Sequence, residues 1–134
     1  MRFTSLGVVV AAGLMAVPVP SFAHHGAATF ETGKEIILKG VVTEWIWANP
    51  HCFLKFDAKD ETGAVRRWAV ETQNPVAMTS RGWSRSAFKV GDEGTVRLEP
   101  VKNGAPVGRV LSVVLPNGQT LVAVGPQPAA TPSQ

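Results

Sequence analysis

His24, His25 and His51 are the only histidines in this sequence, and the most definite chemistry it offers lies with them. His24 follows a Ser21-Phe22-Ala23 run with small residues at both positions that a signal peptidase reads, so export would leave His24 as the first residue. A free α-amine has a pKa of about 7.7 and an imidazole one of about 6.5, so both lose a proton close to neutral pH. An amino-terminal histidine therefore chelates a divalent metal through its amine and a ring nitrogen together. A second imidazole, from His25 or His51, completes a planar nitrogen set of the kind that suits copper(II). Reach permits it, because residues 24–33 extend over at most roughly 33 Å. Cys52 adjoins His51, but strand alternation turns it inward, which makes it a weaker ligand and more simply a small buried hydrophobe. Plainer uses exist for the histidines too. A terminal histidine pair takes up copper or nickel weakly in almost any protein, and His51 has turn carbonyls of its own hairpin to bond.

The tryptophans Trp45, Trp47, Trp68 and Trp83 raise a second, metal-free use. Small barrels stack sugars and nucleotides on aromatic strand residues. Phe53, on the outward face near Lys55 and Arg67, would form such a platform, with Trp47 and Asn49 at its edge. Its ligand would be a glycan, a peptide or an envelope protein. Trp45 and Trp68 read instead as core. An enzyme has less support. Glu44, Asp57, Glu71 and Asp92 are single carboxylates without a partner at a telling spacing. No nucleophile elbow, paired-histidine helix or phosphate-cradling glycine loop is present.

Bulk properties narrow the setting. Arg2 gives the leader its positive start and residues 6–19 are apolar apart from glycine and one proline, a pattern too short for a comfortable membrane span. Residues 1–23 therefore read as a signal peptide, and the destination as the periplasm or the exterior. The chain carries 13 basic and 10 acidic side chains, and the leader removes Arg2, so the mature charge is nearly balanced. Arg66-Arg67 is the only adjacent basic pair, which leaves no footprint for nucleic acid. Cys52 is the only cysteine, so no internal disulfide forms and packing alone must hold the core. At 134 residues, less the leader, one domain is expected, acting as a monomer.

Residues 24–34 read as a flexible arm anchored by Phe30, residues 35–124 as the folded domain and residues 125–134, rich in proline and alanine, as a disordered tail. Within the domain, residues 35–47 form one long strand. Gly40 interrupts it, and an isolated strand glycine predicts a bulge or bend. Val41, Thr43, Trp45 and Trp47 share one face of that strand; Val42, Glu44 and Ile46 share the other. Asn49-Pro50 is a turn signal, because Pro50 keeps Asn49 out of the helical region. A second strand follows, with Cys52, Leu54, Phe56 and Ala58 inward. Residues 65–72 form a third strand with Trp68 and Val70 inward. Asn74-Pro75 then opens a helix that Gly82 closes, the polar cap and first-turn proline being its start signals. Trp83, Phe88 and Val90 anchor the loop after it. Strands over 95–99, 108–115 and 119–124 complete the chain, separated by Asn103-Gly104 and Asn117-Gly118 turns.

Three strands, a short helix and two or three more strands is the order of an all-β, OB-like Greek-key barrel of five to six strands, the helix lying between strands three and four. A six-stranded sandwich is the alternative. The successive elements His24-His25, Phe30, Gly40-Val41-Val42, Trp47-Ala48-Asn49-Pro50-His51, Trp68-Ala69-Val70-Glu71, Arg81-Gly82 and Gly91-Asp92 resemble a family of small exported bacterial proteins, a domain of unknown function. The likeness runs over nearly the whole mature chain, and the double-histidine start and Asn-Pro-His are its most specific parts. It implies a single exported β-domain with His24, His25, Asn49 and His51 in its signature. It implies no activity.

Overall fold

A computed structural model describes residues 29–127. The expected leader, His24 and His25 of the arm, and residues 128–134 of the tail lie outside the described residues. Six strands and one helix follow in order: β1 Ile36–Ile46, β2 Phe53–Lys59, β3 Val65–Glu71, α1 Pro75–Thr79, β4 Glu93–Pro100, β5 Val107–Val114 and β6 Thr120–Val122. They make one sheet, β3-β2-β1-β4-β5-β6, and a parallel β3–β5 pairing closes five of the strands into a barrel. That circuit, with α1 between β3 and β4, is the OB-like Greek key; the two-sheet sandwich is set aside. Among the described residues no helix is long and apolar enough to cross a membrane.

β1 does double duty. Ile36 to Val41 pair with β4, and Gly40 to Ile46 pair with β2. The irregularity expected at Gly40 lies three residues later, where Val42 pairs with Phe56 and Glu44 with Lys55, leaving Thr43 as the extra residue of a bulge. Pairing runs straight through Gly40 on both sides, to Ala58 and to Gly94. The bulge also switches the inward face. Val42 is buried, and beyond the bulge Trp45 and Trp47 pack against the core, so the two apolar faces read from the sequence are one face crossing a parity break.

Gly40 has a different use. A Cβ there would lie 2.5 Å from Phe56 Cδ2 and 2.8 Å from the Asp57 carbonyl oxygen. The missing side chain makes room for the Phe56 ring, which is fully buried with Leu54, Val70, Leu98, Val110 and Val113.

The end of the barrel under the helix is closed by aromatics. Trp45 stacks edge-on to Phe88 at 5.0 Å and tilts against Trp83 at 5.9 Å and Trp47 at 5.7 Å. Such pairs contribute about 0.5–1.5 kcal/mol each beyond their buried area. Two indoles donate to backbone carbonyls: Trp83 Nε1 to Val122 at 3.1 Å, and Trp45 Nε1 to Ser84 at 3.0 Å. Val90, expected as a third anchor, is exposed instead. The helix starts as read, with the Asn74 side chain accepting from the Ala77 N–H and Pro75 in the first turn, but it is only five residues long. Its end is a glycine turn: Gly82 takes a φ of +84° and Trp83 N–H donates back to the Met78 carbonyl, which aims Trp83 into the core.

The Gly40 contact generates a direct check. Gly40→Ala should destabilise the protein by about 1–3 kcal/mol in urea denaturation, the usual range for overpacking a core. Gly63→Ala makes the necessary comparison, because its added Cβ meets nothing within 4 Å and only its positive φ of 84° is strained.

Candidate functional site

The β1–β2 connection carries the Asn49-Pro50-His51 element, with a cis Asn49–Pro50 bond. Past the turn the chain is tied to the end of β3 by two backbone bonds: Cys52 N–H to the Gln73 carbonyl at 3.1 Å, and Thr72 N–H to the Cys52 carbonyl at 2.9 Å. These set His51 on the outward side of the rim, half-buried. Cys52 points the other way and is fully buried in the core.

His51 Nδ1 lies 2.9 Å from the Thr72 backbone carbonyl oxygen. A carbonyl only accepts, so Nδ1 carries the proton and donates. In the neutral ring Nε2 then holds the lone pair, the nitrogen a metal takes. A metal-binding histidine is commonly oriented by this kind of second bond, ring N–H to a backbone carbonyl or carboxylate. The carbonyl belongs to the residue just past β3, not to the histidine's own hairpin. Thr72 is itself buried, and its hydroxyl donates to the Gln73 carbonyl at 2.9 Å, so the clamp sits on fixed backbone.

The outward row next to His51 continues round the barrel. Phe53 is opposite Glu71, Glu71 opposite Arg109, and Arg109 opposite Glu99. The amino-terminal arm is fastened across the far end of this row. Phe30 makes a bridge to Val101, and Glu31 N–H donates to the Pro100 carbonyl at 2.8 Å. The Phe30 ring lies 5.6 Å from the Arg109 guanidinium carbon, a cation–π contact. Gly33 N–H donates to Glu99 Oε1 at 3.1 Å while Arg109 Nε donates to Glu99 Oε2. The Glu99 residue is 6% exposed. Burial disfavours its charge, but the Gly33 and Arg109 hydrogen bonds and the guanidinium charge outweigh that and hold its pKa below the ordinary 4.5.

The other expected ligand-binding residues have partners of their own. Lys55 pairs with Glu44 at 2.6 Å, and Arg67 grips Asp57 with two bonds of 2.9 and 3.1 Å. The strand face around Phe53 is therefore a ladder of satisfied ion pairs, with Ile46 and Glu71 as the neighbours of Phe53 across the strands. Trp47 leans on Trp45 at the rim, and Asn49 is exposed at the turn. Among the described residues no group of three or more histidine, cysteine, aspartate or glutamate side chains gathers in a metal-binding cluster. His24 and His25 fall outside those residues. Thr72, Arg109 and Glu99 were not singled out by sequence: their parts depend on pairings between distant strands, which no local pattern encodes.

A family model described as "Family of unknown function (DUF6152)" matches residues 11–110, and the chain belongs to that family. No curated protein and no solved structure matches it.

The Glu99 clasp has a pH signature. A carboxyl whose folded pKa is depressed adds stability that is full above its unfolded pKa and is lost as pH falls through the folded value. Glu99→Gln should therefore be less stable at pH 7 by about 1–3 kcal/mol, the range for a lost buried charged hydrogen bond. Its urea midpoint should also fall less steeply than wild type between pH 5 and about pH 3, where carboxylates of depressed pKa titrate.

Proposed function

We propose that this member of the family is an exported binding or accessory module that holds a divalent metal, copper(II) in first place, at the Asn49-Pro50-His51 rim. On this reading the leader is removed after Ala23. The freed amine and ring of His24 supply two nitrogens, His51 Nε2 supplies a third, and His25 stands beside them as a further donor.

The observation that carries the reading is the His51–Thr72 bond, which leaves Nε2 as the ligating nitrogen of a ring already oriented by fixed backbone. The fastening of the arm adds to it. Phe30 rests on Arg109, and Arg109 is two strands from Phe53 in register. Adjacent strands lie about 4.8 Å apart and His51 is two residues further on, so the step is on the order of 15–20 Å. From His24 to Phe30 the chain extends over at most roughly 20 Å. The arm's anchor point thus lies within one arm's length of the rim histidine. Nothing in the set prefers a redox reaction, and the role that follows is capture or delivery of the metal.

Mature protein with an authentic amino terminus is titrated with copper(II) by competition against a chelator of known affinity, and so are a form with one added amino-terminal residue and His51→Ala. Each change is expected to weaken binding at least tenfold, and wild-type binding should weaken on acidification, because protons compete for the same nitrogens. Equal affinity in all three rejects the metal site. A metal-free interaction module working through Phe53 and Lys55 would then be the reading left, checked by loss of partner capture in Phe53→Ala with chelator present.

A further inference from the structure

Away from the rim, the outward face of the barrel holds an unusual row. It is made of two paired stretches, Val65 on β3 with Lys59 on β2, and Lys39 on β1 with Thr95 on β4 and Val114 on β5. The Lys59–Lys39 step is the next one beyond the Gly40–Ala58 pair. Like charges brought together on neighbouring strands of a sheet repel. Among the described residues neither ammonium has a carboxylate at ion-pair distance. Asp57 and Glu93 line the same groove at its other end, on either side of Val41, and Asp57 is held by Arg67.

Around the two lysines the surface is aliphatic. Ile37 is 68% exposed, Val65 61%, Val41 41% and Val114 38%, and all four line one open groove of about 940 Å³ with Lys39 and Lys59. That size is within the range of small-molecule sites. Isolated surface aliphatics are ordinary, but four of them ringing an unneutralised ammonium pair are not scattered.

We propose that this groove binds a free long-chain carboxylate, its anionic head between Lys39 and Lys59 and its hydrocarbon against Ile37 and Val114. The head would relieve the repulsion that the bare pair carries, and the chain would cover the exposed aliphatics. A cation would add to the repulsion and a neutral chain would leave it. The site shares no residue with the metal-binding rim and stands or falls without it.

Dodecanoate, below its micelle concentration, is titrated into the mature protein by calorimetry, with dodecylammonium, dodecanol and acetate in parallel. Dodecanoate should bind with a raised melting temperature, dodecylammonium and acetate should not, and dodecanol should bind at least tenfold more weakly. Lys39→Gln/Lys59→Gln, both at exposed positions, should keep the fold by circular dichroism and lose at least tenfold in affinity for dodecanoate. Equal binding of anion and cation, no binding at all, or an unchanged affinity in the double variant overturns the proposal. Sedimentation with anionic phospholipid vesicles but no response to monomeric dodecanoate overturns it as well, in favour of a membrane surface.

Discussion

Closure of the barrel rests on one strand serving two partners. β1 gives its first half to β4 and its second half to β2, with the overlap at Gly40 and Val41. A strand that stays regular over eleven residues would keep one face inward throughout while the sheet curls away from it. The bulge at Thr43 resolves this by adding one residue on the β2 side, which turns Trp45 and Trp47 in where strict alternation would put Ile46. Gly40 solves the tighter problem at the point of overlap, where a side chain would occupy the place of the Phe56 ring. The helix, the aromatic plug and the rim are placed only once that bend exists.

The amino-terminal arm shows how a charge can be buried at small net expense. Glu99 faces outward on β4 and would be solvated on a bare barrel. The arm from Phe30 to Gly33 covers it, and the same segment supplies a backbone N–H to its carboxylate while Phe30 covers the guanidinium that pairs with it. Breaking such a pair leaves an uncompensated buried charge, which is far worse than never having had it. So the pair does more to fix where the arm lies than to stabilise the barrel. That fixes the course of residues 30–33 across β4 and β5.

Much of this was legible in the sequence and some was not, for identifiable reasons. Alternation in Cys52, Leu54, Phe56 and Ala58 gave the inward face of β2, and Asn74-Pro75 gave the helix start, because both signals are local. Placing the bulge at Gly40 followed the habit of strand glycines. The actual site, Thr43, has no local mark, since it is set by the registers of two different neighbours. Val90 looked like a core anchor because it is apolar, yet Trp83 and Phe88 already fill the space below the loop. For the candidate site, the Asn-Pro-His turn was visible. The acceptor for His51 was not, because Thr72 lies twenty-one residues on, just past the end of β3.

A ring fixed by backbone differs in kind from one fixed by another side chain. Thr72 presents its carbonyl as part of the β3 end, itself tied to Cys52 by the ladder, so no single side-chain loss frees the imidazole or changes its tautomer. The orientation of Nε2 is therefore as stable as the sheet. Cys52, one residue on, is sealed in the core, which keeps the soft thiol apart from the half-buried imidazole despite their adjacency in sequence. Which way the two neighbouring residues point follows from the alternation that continues into β2, where Leu54 and Phe56 share the inward side with Cys52.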